Sequence, residues 1–294
     1  MREQMAVTAC DLFAEDDRVA IVLAEISTQH FEPALHGDPR RAVNLGIMEQ
    51  SMVGVAAGFA MEGFQPIVHT ITPFLVERPL EQIKLDFGYQ GLGGTFVSAG
   101  ASYDYGAEGA THHSPADVQA MLTIPGVEVL VPGSAAEVDR AIRSTYADGR
   151  ITYIRTSVAS NAASFETELG RAEVLRRGDR GTVLAVGPML DRTLAAVEGM
   201  DVTVMYVTSI APFDAETLTR EAIGPDVVVV EPFYEGTLTA TVAGALSARA
   251  SRIGSVGVPR RFILTYGQLE EHDRELGLDT AGIRERIAAF LDGR

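Results

Sequence analysis

A short, nearly all-apolar run, RVAIVLA at 18–24, opens a series of strand patterns in the first half of the chain, followed by QPIVHTI at 65–71, GTFVSAG at 94–100 and ITYIRT at 151–156. Strands that are apolar on both faces belong to parallel sheets covered by helices on both sides. The intervening segments have helical spacing. Residues 2–15 place Met5, Ala6, Ala9, Leu12 and Phe13 on one helix face. Further helices are predicted at 48–61, 75–89, 115–122 and 134–147, with extra strands at RAVNLG and VEVLVPG. This alternation predicts βαβ units. Ligands of such sheets sit beyond the carboxyl ends of the strands. The loops after 18–24, 42–46, 66–71 and 95–100 are therefore where a site is sought.

Residues 158–180 are polar and lack a clear period, as an interdomain linker would. A second α/β pattern follows. Strands TVLAVG, DVTVMYV, DVVVVEP and RFILT alternate with helices at 190–199, 214–222, 237–248 and 281–291. The expected fold class is α/β, with two doubly wound parallel-sheet domains at 1–157 and 181–294 joined by a linker at 158–180.

The net charge of −16 disfavours nucleic acid and anionic membrane as partners. Cys10 is the only cysteine, so no intrachain disulfide forms, which suits a reducing cytoplasm. The first residues lack a long apolar core, and no run of ~18 apolar residues occurs. A cytoplasmic chain is expected. GxGxxG, the P-loop, C-x-x-C, H-E-x-x-H and G-x-S-x-G are all missing, so nucleotide, zinc and serine-hydrolase chemistry has no motif behind it. No metal-binding set is read in this chain.

Glu49 opens an otherwise apolar, small-residue helix in NLGIMEQSMVGVAAGFAMEGFQPIVH. It reads either as a first-turn carboxylate on the helix dipole or as a catalytic acid. Phe74 reads as a strand-end core residue or a stacking platform, and His112 as a solvated loop imidazole or a proton carrier. His69 and His30 stand open between structural and site roles, and Glu25 is an exposed loop acid or a site group.

GIMEQSMVGVAAGFAMEGFQPIVHTITPF closely resembles the aminopyrimidine-binding segment of the transketolase and 1-deoxyxylulose-5-phosphate synthase group. SYDYGAEGATHHSPADVQAMLTIPGVEVLVPGSAAEV resembles that group's substrate loop. VTVMYVTSIAPFDAETL and VVVVEPFYEGTL resemble its C-terminal domain. The likeness runs from about Arg2 to the end and omits the diphosphate-binding domain. No GDG followed by Asn is present, the pattern that holds Mg²⁺ and diphosphate.

The resemblance implies the C-terminal subunit of a split, thiamine-diphosphate-dependent transketolase. Such an enzyme moves a two-carbon ketol unit from a ketose to an aldehyde. Glu49 would hydrogen-bond the pyrimidine ring and favour its imino tautomer. Phe74 would stack on the ring, with Glu25, Ile26 and Ile71 beside it; related enzymes carry an aromatic at the position of Ile71. His112 would touch donor hydroxyls and shuttle protons. His69, His30, Arg78 and Arg155 would contact substrate. A partner chain would supply the diphosphate-binding domain and Mg²⁺, in an α₂β₂ heterotetramer.

The phosphate-binding set is incomplete. Gly100 or Ala101 stands where the family has a histidine, and Val158 where it has an arginine, with Arg155 nearby. Arg2 matches one arginine. An unphosphorylated sugar substrate is thereby as open as a sugar phosphate. The β subunit of a 2-oxo acid dehydrogenase and a non-catalytic regulatory paralogue are the alternatives.

Overall fold

The computed structural model describes residues 1–293. The first sheet contains β1 (Val19–Leu23), β2 (Ala42–Asn44), β3 (Gln65–Ile71), β4 (Gly94–Ala99), β5 (Glu128–Leu130) and β6 (Ile151–Arg155). The second is built from β7 (Ala172–Arg176), β8 (Thr182–Val186), β9 (Thr203–Val207), β11 (Asp226–Tyr234) and β12 (Arg252–Val258). Between β9 and β11, the short β10 (Ser209–Ala211) leaves the second unit and joins the first sheet. The orders are β10-β5-β6-β4-β3-β1-β2 and β12-β11-β8-β9-β7. All pairings are parallel except β10 on β5 and β7 on β9.

The two-residue period of the strands divides the first core. Val22, Val68, Phe96 and Tyr153 face one side, where Met52, Val53, Ala56 and Ala57 of a helix pack. Ile21, Ile67, Val97 and Ile154 face the other, against Met5, Ala9, Leu12 and Phe13. The helices concerned are α1 (Arg2–Glu15) and, after the short α2 (Glu32–Gly37), α3 (Glu49–Met61).

Three sequence expectations are corrected. The 158–180 stretch is more than a linker, because β7 forms within it and caps the β9 edge. Its burial is only partial along its length, so its sequence lacks the apolar run of a central strand. RFILT is not the last strand. That place belongs to β12, RIGSVGV, whose glycines hide it from a propensity reading. A Cβ on Gly254 would lie 2.7 Å from Phe290 Cδ2, and one on Gly257 2.8 Å from the Phe233 carbonyl oxygen. Finally, the helix expected at 75–89 starts earlier and breaks. It divides into α4 (Thr72–Val76), a turn at Leu80–Gln82 and a π-helical turn at Ile83–Tyr89. Pro79 stands at the break and lacks the amide hydrogen a continuous helix needs.

Candidate active site at the carboxyl edge of the first sheet

Strand order reverses at β1, which has β3 on one side and β2 on the other. A crevice opens beyond such a switch point. Here the chain leaving β1 holds Glu25 and Ser27 at φ of 64° and 65°. Left-handed backbone is uncommon for residues other than glycine and gathers at functional sites. Glu25 is exposed and clasps Asn44 at the end of β2. Its amide donates to Asn44 Oδ1 at 2.9 Å, and Asn44 Nδ2 donates to Glu25 Oε2 at 3.2 Å.

Glu49 lies in the first turn of α3 and is only 3% exposed. Its position on the helix dipole favours a negative charge. Arg78 Nη1 donates to Glu49 Oε1 at 3.0 Å. The same guanidinium lies 3.8 Å from the centre of the Phe74 ring. Phe74, on α4, meets His112 edge to face at 5.2 Å between ring centres. Glu49, Arg78, Phe74 and His112 thus form one continuous chain of contacts drawn from three separate segments. Ile26 and Ile71 are half-buried at the ends of β1 and β3.

A second feature flanks this chain. An open pocket of about 310 Å³ is lined by Arg2, Gln29, His30, Gly100, Tyr105 and Val158, among others. Hydrogen bonds behind it have one polarity. Arg2 Nε donates to Ser27 Oγ at 2.7 Å, Ser27 Oγ lies 2.9 Å from His69 Nε2, and His69 Nδ1 lies 2.7 Å from the Val97 carbonyl. The carbonyl only accepts, so Nδ1 carries the proton and Nε2 accepts from Ser27. His69 therefore positions Ser27 and Arg2, and does not reach the pocket itself, being fully buried. Ser27, the hinge of this relay, escaped the sequence reading because nothing local marks it.

Burial pushes the His69 imidazole down to about 4. An unfolded histidine titrates near ~6.5. Below that pH the unfolded chain binds a proton that the folded chain refuses until about 4. Stability is thus lost as pH falls across this window, by about 3 kcal/mol from this group. The wild type should lose that much more than His69→Gln in urea unfolding compared at pH 7 and 4. Equal losses would mean that His69 is not held neutral.

Gly100, at φ +72°, has the Tyr105 ring against it, and a Cβ there would lie 1.9 Å from Tyr105 Cε2. Tyr105 thus fills the place where a side chain at position 100 would stand. Below the pocket, Asp104 is pushed up to about 6, mainly by burial. It accepts from the amides of Ala101 and Val158 and from Ser157 Oγ, joining the loops after β4 and β6.

Arg155 is not in this pocket. It is 1% exposed, with Nε 2.6 Å from Asp117 Oδ2 and Nη2 2.6 Å from Ser102 Oγ. In this chain it is a buried clamp between Asp117 and Ser102. No group of three or more histidine, cysteine, aspartate or glutamate side chains suited to a metal exists among the described residues. No helix among them is long and apolar enough to cross a membrane.

Residues 4–161 match the family described as transketolase, pyrimidine binding domain, and residues 170–283 match transketolase, C-terminal domain. The chain belongs to the transketolase family, whose thiamine-diphosphate-dependent members include split, two-chain forms, and it is similar to the β subunit of those forms. It is 42% identical to an uncharacterized 33.6 kDa protein in the fasciation locus of Rhodococcoides fascians, over 94% of this chain and 90% of that one. It is 33% identical to a 6-deoxy-6-sulfo-D-fructose transketolase subunit of a Clostridium species, over 83% and 78% of the two chains. A split-gene transketolase, solved as an inactive β4 tetramer, superposes with a TM-score of 0.85 at 27% identity, covering 99% of this chain and 97% of that one.

Proposed function

We propose that this chain is the C-terminal subunit of a two-chain transketolase that moves a two-carbon ketol unit from a ketose to an aldehyde. The observation that carries the reading is the buried Glu49 carboxyl at the crevice edge, joined to the Phe74 ring through one shared neighbour, the Arg78 guanidinium. A sheltered carboxyl beside an aromatic face is a donor set for a flat, nitrogen-rich ring such as aminopyrimidine. Thiamine diphosphate, when bound, supplies the carbanion chemistry that ketol transfer needs. Glu49 binds the ring nitrogen and shares a proton with it. Phe74 stacks on the ring, and Ile26 and Ile71 shape its surroundings. His112, in contact with Phe74, holds or moves a proton at a substrate hydroxyl. His30 and Arg2 line the pocket for the sugar's far end. Tyr105 packed on Gly100 supports a substrate end other than the usual phosphate.

The diphosphate and Mg²⁺ belong to a partner chain in this reading, in a cytoplasmic α₂β₂ assembly. Exposed apolar side chains support such a partner. Ile47 and Met48 precede α3, Val55 and Met61 lie on it, and Leu85 and Tyr89 lie on the π-helical turn beside it. The similar split-gene subunit being inactive as a β4 tetramer supports the need for a second kind of chain. The relative named as a transketolase subunit favours ketol transfer over 2-oxo acid decarboxylation.

Calorimetric titration of thiamine diphosphate with Mg²⁺ tests the assignment. Weak binding to this chain alone, through the pyrimidine ring only, and much tighter binding once the diphosphate-domain chain is added is the expected result. Tight binding to this chain alone would overturn the split-site reading.

A further inference from the structure

The Arg78 guanidinium makes two contacts at once. It donates to Glu49 at 3.0 Å and sits over Phe74 with its central carbon 3.8 Å from the ring centre. A guanidinium is planar, delocalised and rich in N–H donors, and it stacks on aromatic faces. These are the properties that the proposed function asks of an aminopyrimidine between the same two residues.

We propose that Arg78 is a resident stand-in for the cofactor's pyrimidine ring, filling its place until the ring enters and then leaving. This rests on the assignment of Glu49 and Phe74 to the ring.

Two physical arguments support the exchange. Glu49 is almost wholly buried, and a buried carboxylate without a partner is strongly destabilising. Without the ring, something cationic must stay beside it. The Arg78 side chain is 43% exposed, so it can swing into solvent without breaking the core. Ion pairing also uses Glu49 as a carboxylate, whereas sharing a proton with a ring nitrogen uses it as an acid. The two uses exclude each other, so a chain with Arg78 in place is held out of the reactive state. Its neighbour Glu77 accepts from Ser114 Oγ at 2.7 Å, which ties this segment to the loop bearing His112.

The test uses the full chain alone and the ring alone, 4-amino-5-hydroxymethyl-2-methylpyrimidine, with affinity read by calorimetry. A group that fills the site nine-tenths of the time weakens apparent affinity about tenfold. Arg78→Ala should therefore bind the ring about tenfold more tightly than wild type, and methylguanidinium should compete with the ring in that variant. Arg78→Lys keeps the charge for Glu49 but loses the planar guanidinium over the Phe74 ring, so it should bind the ring more tightly than wild type as well. It serves as the readout should the alanine variant fail to fold. Glu49→Gln and Phe74→Ala should both weaken binding. Unchanged or weaker ring binding in the Arg78 variants, with Glu49→Gln and Phe74→Ala still weakening it, would overturn the stand-in and leave the site assignment standing. Binding indifferent to Glu49 and Phe74 would overturn the assignment, and the stand-in with it.

Discussion

Glu49→Gln should lower kcat of the assembled enzyme by about 10²–10⁴-fold, the usual contribution of a positioned general acid or base. The amide keeps the shape of the side chain but has no acidic proton to share. The KM for the ketose should change little, because Glu49 faces the proposed ring site and does not line the pocket beside it. Stability should hold, since Arg78, the partner left behind, is 43% exposed and can be hydrated. Steady-state kinetics with donor and acceptor varied in turn would check this. Full turnover in the variant would reduce Glu49 to a first-turn helix carboxylate.

Arg155→Ala should destabilise the fold by about 3–5 kcal/mol, read from the urea midpoint. Asp117 is fully buried, and its Oδ2 is held by Arg155 Nε at 2.6 Å and by the Tyr153 hydroxyl at 2.7 Å. Removing the guanidinium strands a buried charge. It also cuts the link to Ser102, whose hydroxyl bonds the Pro232 carbonyl of the second unit. Replacing both partners, as Arg155→Met with Asp117→Leu, should recover much of the loss, because the pair's own desolvation cost vanishes with it. A cost below about 1 kcal/mol for Arg155→Ala would show that the clamp carries no weight.

What was legible in the sequence was what local pattern encodes. The small-residue helix from Glu49 to Met61, the all-apolar strand β1 and the fully buried strands β4 and β6 follow from runs of neighbouring residues. The family resemblance then drew Glu49, Phe74 and His112 together on paper, and in the structure they share one contact chain. What stayed hidden depends on distant partners. Arg155 lies two residues beyond Tyr153 in β6, so the strand period sends both side chains to the same face and onto Asp117. Only the position of Asp117 reveals that. Ser27 acquires its role from Arg2 and His69, 25 and 42 residues away. β12 is masked because close packing at Gly254 and Gly257 requires glycine where strand propensity favours branched residues.

β10 carries a consequence for biosynthesis. Ser209–Ala211 supply the outer neighbour of β5, and the Thr208 carbonyl accepts from the Val131 amide at 2.7 Å. A ribosome that has finished β6 has made six strands of the first sheet but not the seventh. The β5 edge stays bare while about fifty further residues are added, and an unpaired strand edge is a template for pairing with another chain. Cutting the gene at residue 157 would make that interval permanent. The boundary between the domains in sequence is therefore no boundary for the nascent chain, and the second domain acts on the first as a covalently attached chaperone for its open edge.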